Sequence, residues 1–254
     1  MQNKHLQQIA LIFTIILLLS AMPNKQNSPI PEDSRQLLLV ITDSETAVPG
    51  KLYRFQREDS NSAWQLIKGD LAVVIGKNGL GWGKGIHPET AIGLPNKKEG
   101  DGKSPAGIFT LSAIFGYAPP EKMTRLKLPY IHITEMIECV DDANSALYNR
   151  IVKRNEIDRV DWKSSEKMHA VGEQYELGVF VDHNAGIPQK GSGSCIFLHI
   201  WGGADDPTVG CTAMSPENMH AIAFWLDAAK NPILVQLTKA LYEEFRSKWH
   251  LPEI

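Results

Sequence analysis

Apolar residues fall into short continuous or alternating runs over most of the chain and take up helical spacing only near its end. The runs 37–41, 52–56, 63–67 and 71–75 are each short and apolar or alternating, the pattern of strands. A further strand, 107–111, follows the turn Lys103-Ser104-Pro105-Ala106. Residues 139–152 are polar and predict a loop with a helical turn. The segments 177–183 and 194–201 read most plainly as strands, and Gly186, Pro188, Gly191 and Gly193 between them suit a long hairpin connection. Ser215-Pro216 followed by Asn218 is a helix start, with Ser as cap and Pro at the first helical position. Met219, Ile222, Ala223 and Leu226 then share one helical face. Asn231-Pro232 ends that helix, 233–237 is a short strand, and 239–249 is a final helix. The fold class expected is mainly β with a few C-terminal helices (α+β).

The N-terminus breaks this pattern. Lys4 and His5 precede an apolar run at 9–19, interrupted only by Thr14 and followed by Ser20-Ala21. A spanning helix needs about 20 apolar residues, and this run is shorter. Residues 1–21 therefore read as a secretory signal peptide. Leu19 stands where a small residue is usual, which keeps an uncleaved anchor as the second reading. Residues 22–36, with Pro23, Pro29 and Pro31, suit a linker. A single domain at 37–250 follows. Either reading places the protein outside the cytoplasm, in the periplasm or cell wall, with no membrane span in the mature form unless the segment stays uncleaved.

Composition narrows the function classes. The formal net charge is −3, and Lys97-Lys98 is followed at once by Glu99 and Asp101, so no basic field points to nucleic acid. The glycines at 76, 79, 81, 83 and 85 lack the Lys-Ser/Thr ending and following helix of a phosphate-binding loop. They read as a turn and bulge region. No cofactor is implied. No metal is implied either, because His199 and Cys211 alone make an incomplete ligand set.

Export changes the reading of the cysteines. Cys139, Cys195 and Cys211 would meet an oxidising compartment, and their odd number leaves one thiol free unless it pairs between chains. Strand alternation over 194–201 puts Ile196, Leu198 and Ile200 on one face and Cys195, Phe197, His199 and Trp201 on the other. The first is an ordinary core face; the second carries a histidine flanked by aromatics. After residues 202–207 comes Thr208-Val209-Gly210-Cys211, where Gly210 permits a tight turn. The helix start close behind favours a thiolate, although a dipole effect fades beyond the first turn. A thiol, an imidazole and backbone N–H donors are the parts of acyl transfer: nucleophile, proton carrier and oxyanion donors.

These residues resemble the catalytic domain of L,D-transpeptidases (the YkuD-like family). The resemblance is carried by His199 followed by Thr208-Val209-Gly210-Cys211, and by Ser104-Pro105-Ala106-Gly107-Ile108-Phe109 upstream. Further segments resemble one exported subgroup: Glu138-Cys139-Val140-Asp141-Asp142, Tyr148-Asn149-Arg150, Asp182-His183-Asn184 and Phe197-Leu198-His199. The likeness spans about 37–237. It implies a β-sandwich of the L,D-transpeptidase type, with Cys211 as nucleophile, His199 as base oriented by a backbone carbonyl, and Gly210 and Thr208 supporting the oxyanion site or the loop. It also implies peptidoglycan stem peptides as partners, cross-linked through a thioester. An L,D-carboxypeptidase, a cysteine amidase on the same polymer, or a non-catalytic wall-binding protein are the alternatives. Many relatives carry Arg where this chain has Ala213, which bears on the substrate more than on the chemistry. His183 and Arg150 are secondary candidates, each with a structural alternative, and Trp82 and Lys84 could line the cleft. If two cysteines pair, they are Cys139 and Cys195, since a nucleophile must remain a thiol.

Overall fold

The computed structural model describes residues 28–88 and 93–254, so the proposed signal segment at 1–21 lies outside the described residues. The strands are β1 (Gln36–Thr42), β2 (Pro49–Gln56), β3 (Gln65–Val74), β4 (Leu80–Trp82), β5 (Ser104–Gly116), β6 (Tyr130–His132), β7 (Ile137–Cys139), β8 (Ile151–Lys153), β9 (Glu166–Lys167), β10 (Leu177–Val181), β11 (Phe197–Ile200), β12 (Thr212–Met214) and β13 (Ile233–Thr238). The helices are α1 (Pro216–Trp225) and α2 (Lys239–Trp249). Among the described residues no helix is long and apolar enough to cross a membrane.

The expected pair of stacked sheets is replaced by one sheet that closes on itself. β1 pairs with β2, β2 with β3, β3 with β12, β12 with β11, β11 with β10, β10 with β5, β5 with β13, and β13 returns to β1. This barrel-like circuit leaves β4 and β6 as additions beside β5. Alternation along single strands does not separate a closed sheet from two open ones, because both bury one face of every strand.

Side-chain parity assigns the two faces. One core cluster takes residues from every strand of the circuit, including Leu38 and Val40 of β1, Phe109 of β5, Leu198 and Ile200 of β11 and Met214 of β12, together with Met219, Ile222 and Ala223 of α1. The other face of β1 (Leu37, Leu39, Ile41) and of β13 (Ile233, Val235, Leu237) packs under Leu241, Tyr242, Phe245 and Trp249 of α2. Burial on both faces explains why 37–41 is apolar without alternation.

Local sequence sets the helix ends. Ser215 Oγ accepts from the Asn218 N–H at 3.3 Å and Pro216 opens α1, as expected from the cap signature. The helix ends at Trp225, short of Asn231-Pro232, because buried Gln36 reaches its last turn. Gln36 Nε2 donates to the Trp225 carbonyl at 2.9 Å, and Gln36 Oε1 accepts from the Asp227 N–H at 2.8 Å. Such a long-range cap leaves no local signal.

Four segments depart from the expected assignments. The runs 63–67 and 71–75 belong to one strand, β3, whose pairing with β2 shifts register around Asp70 (φ 56). Residues 139–152 include the ends of a small separate sheet, ordered β8-β7-β9, whose strands are too short to show a period. Residues 28–35, read as linker, pack on the domain: Ile30 is buried and Ser28 Oγ donates to the Trp249 carbonyl at 2.7 Å. The glycine-dense stretch forms β4 with a turn at Gly79 (φ 77), and among the described residues no helix lies between β4 and β5.

Candidate active site

β11 and β12 run parallel, with His199 opposite Ala213 and Leu198 opposite Thr212. The register puts Cys211, just before β12, beside Phe197, whose N–H donates to Cys211 Sγ at 3.3 Å. The faces of β11 divide as the alternation requires. Ile196, Leu198 and Ile200 enter the barrel core, while Cys195 and Phe197 join Cys211, Tyr175 and Phe115 in a separate cluster. His199 and Cys211 line one cleft of about 630 Å³, together with Tyr175, Glu166, Thr208 and Gly210.

Cys211 is the free cysteine of the described residues and is buried. Cys139 and Cys195 form a disulfide with Cα atoms 6.0 Å apart, the pairing expected. It ties β7 of the small sheet to the segment entering β11. Cys195 is held at φ 54, and its N–H donates to Asn149 Oδ1 at 2.9 Å. Burial pushes the Cys211 thiol up to about 12, and the Glu166 charge adds to this; the Phe197 N–H, Lys97 and Tyr175 act the other way. The thiol is therefore neutral at rest and needs a base. The start of α1 supplies little, because β12 intervenes and spans about 10 Å at roughly 3.3 Å per residue.

His199 lines the same cleft as Cys211 and is held in one tautomer. Its Nδ1 lies 2.7 Å from the Ile200 carbonyl, which can only accept, so Nδ1 carries the proton and Nε2 keeps its lone pair. Burial holds its pKa below the ordinary histidine range, against the opposing effect of the Ile200 bond, so the ring is neutral at pH 7. The Tyr175 ring packs edge-on against it at 5.4 Å.

The loop before Cys211 is fixed by hydroxyls. Thr208 Oγ1 accepts from the Gly210 N–H at 3.1 Å and donates to the Cys211 carbonyl at 2.6 Å. Ser104 Oγ donates to the same carbonyl at 2.6 Å and accepts from the Gly76 N–H at 2.8 Å. Gly210 sits at φ 159, a backbone conformation that L side chains rarely adopt, and its N–H is already committed to the loop.

Other candidates lie apart from this cleft. Fully buried His183 accepts from the Lys84 N–H through Nδ1 and donates to the Ser192 carbonyl through Nε2, so both ring nitrogens bind backbone. Burial lowers its pKa to about 4. Arg150 donates to the Gly186 carbonyl and pins that loop. Between these two, Asn149 Nδ2 donates to the carbonyls of His183 and Asn184, each at 2.9 Å. Trp82 and Lys84 line a second cavity of about 460 Å³, which does not contain Cys211. Among the described residues no group of three His, Cys, Asp or Glu is placed to hold a metal ion.

Ser104, Glu166 and Tyr175 were not singled out by residue type. Ser104 belongs to the turn expected at 103–106, where β5 in fact begins, and to the resemblance, and a Glu and a Tyr far from His199 in sequence carry no spacing signal. Tyr175 Oη donates to Glu166 Oε1 at 2.6 Å, and burial raises the Glu166 carboxyl to about 7 despite that bond.

No curated protein and no solved structure matches this chain. A profile of the YkuD family, the L,D-transpeptidase catalytic domain, matches residues 49–235, from β2 into β13. The chain belongs to the L,D-transpeptidase catalytic domain family.

Proposed function

We propose that this protein is an exported L,D-transpeptidase that cross-links peptidoglycan stem peptides through a Cys211 thioester. The observation that carries the reading is a free thiol sharing a cleft with a histidine whose Nδ1 is fixed by the Ile200 carbonyl. His199 Nε2 takes the thiol proton as sulfur attacks the stem carbonyl that follows the diamino acid. The C–N bond breaks, and the terminal D-amino acid leaves with the proton returned by the imidazolium. An amine of a second stem then attacks the thioester and gives its proton to Nε2. The C–S bond breaks, and sulfur recovers that proton. Two diamino acid residues end joined by an amide.

Export is part of this proposal. It is supported by the basic start and short apolar run of residues 1–21 and by the disulfide. The deciding experiment is mass spectrometry of products from defined tetrapeptide muropeptides. A dimer whose formation depends on a free acceptor amine supports transpeptidation. Tripeptide alone makes the protein a carboxypeptidase, and unchanged substrate with folded protein makes it a wall-binding module.

A further inference from the structure

The Tyr175 hydroxyl stands between two acids. It donates to Glu166 Oε1 at 2.6 Å, and Tyr175 and Cys211 share one buried cluster and line the same cleft, where each acts on the other's proton affinity. Tyr175 is 3% exposed and cannot swing away. Its ring is packed edge-on between Phe115 at 5.2 Å, Phe197 at 5.6 Å and His199 at 5.4 Å. Glu166 is equally fixed, since β9 pairs it with Cys139, which the disulfide ties to Cys195.

We propose that Glu166 and Tyr175 are positioning residues that set the protonation state of Cys211, because one phenolic proton is shared between the Glu166 carboxylate and the Cys211 sulfur. This rests on the reading of Cys211 as nucleophile. A phenol has a single proton to donate and lone pairs to accept. With Glu166 ionised, that proton is held by the carboxylate, and the thiol keeps its own proton, which it donates to the Cys195 carbonyl at 3.6 Å. With Glu166 protonated, the acid donates to the Tyr175 oxygen, and the Tyr175 O–H turns to the sulfur and stabilises a thiolate. The two anions are thus antagonists sharing one donor.

The charges around the pair make this exchange accessible near neutrality. Burial lifts Glu166 to about 7, and Asp141 across the cleft wall adds to the lift. Lys97 favours the thiolate and Glu166 opposes it. Lys77, Glu99 and Asp206 complete the charged lining. His199 stays neutral to a lower pH than an exposed histidine would. Below about pH 7 there is consequently a window in which Glu166 is protonated and His199 is still a base.

The test is the rate of Cys211 alkylation by iodoacetamide against pH, in disulfide-intact protein, for wild type, Glu166→Gln, Tyr175→Phe and the double variant. Glu166→Gln is expected to alkylate about tenfold faster at mildly alkaline pH, the effect of a one-unit fall in thiol pKa. Below about pH 7, where the phenolic O–H turns to the sulfur, Tyr175→Phe should alkylate more slowly than wild type; it should also lose any inflection near pH 7 and blunt the gain from Glu166→Gln. A folded Glu166→Gln protein with the wild-type profile overturns the proposal, as does a gain of equal size in the Tyr175→Phe background. Should Glu166→Gln not fold, the Tyr175→Phe profile decides alone, and an inflection near pH 7 that survives there overturns the proposal. Muropeptide turnover by Cys211→Ala would defeat the nucleophile reading while leaving the alkylation comparison intact, so the two failures are distinguishable.

Discussion

Phe197 donates its backbone N–H to the sulfur of Cys211 at 3.3 Å. The strand that carries His199 therefore also supplies a fixed donor to the sulfur, one that strengthens as charge builds there. Both come from β11, so placing that strand places the surroundings of the Cys211 sulfur.

Loss of Cys211 and loss of His199 should differ in kind. Incubation with a carbapenem, which resembles the acyl donor, is expected to add one covalent equivalent to wild type and none to Cys211→Ala. His199→Ala should fold and acylate roughly 10²–10⁴-fold more slowly, the usual contribution of a positioned base. Intact-protein mass against time reads both. An adduct on Cys211→Ala would assign the chemistry to another residue.

The hydroxyls on the Cys211 carbonyl should matter unequally for folding. Ser104 is fully buried and also serves the Gly76 N–H, so Ser104→Ala leaves a buried donor unpaired. We expect a cost of about 1–3 kcal/mol in urea unfolding. Thr208→Val leaves the Gly210 N–H unpaired at a part-buried bond and should cost nearer 1 kcal/mol. Both should lower the acylation rate. A Thr208→Val protein acylated at the wild-type rate would show that this loop needs no such brace.

Removing the disulfide should destabilise the domain by about 2–4 kcal/mol. The paired variant Cys139→Ser with Cys195→Ser avoids a stray thiol and leaves Cys211 as the sole cysteine. Urea unfolding of that variant against wild type under non-reducing conditions gives the difference, and coincident curves would mean that the small sheet is held by its other contacts.

Two carboxylates near that sheet predict opposite pH dependences. Burial would raise Glu138, but bonds from Lys167, Ser165 and Trp162 outweigh it and hold the carboxyl at about 2. A depressed folded pKa gives stability that is complete above the ordinary value near 4.5 and is lost as pH falls through about 2. Glu166 is raised to about 7, so its contribution grows as pH falls from above 7 towards 4.5. Glu138→Gln should flatten the acid limb of a stability profile and Glu166→Gln the neutral limb. Unfolding free energy measured across pH separates the two limbs, and a limb unchanged by its own substitution removes that residue from the account.

Much of this was legible in the chain, for physical reasons. The alternation over 194–201 correctly divided core from cleft residues, because period two is rigid in a strand. The Ser215 cap was local and therefore visible. What escaped was non-local. Closure of the sheet depends on β5 meeting β10, which no single strand encodes. The Glu166–Tyr175 contact joins a two-residue strand to a short turn, and neither has a period. The Ile200 carbonyl could not be named as the His199 partner, because every backbone offers one.

The disulfide has a consequence for how the chain acquires its site. Three cysteines admit three pairings, and two of them consume Cys211. Cys195 and Cys211 are 16 residues apart and Cys139 and Cys195 are 56 apart. In an unfolded chain the shorter loop closes more readily, by about 1 kcal/mol at roughly 0.6 kcal/mol per doubling of length. Chain statistics therefore favour a bond that consumes the Cys211 thiol. The outcome is reversed only if β7 reaches Cys195 before the thiols oxidise, or if a wrong bond is exchanged afterwards. Order of events during maturation, as much as the final contacts, decides whether a molecule emerges with its Cys211 thiol free.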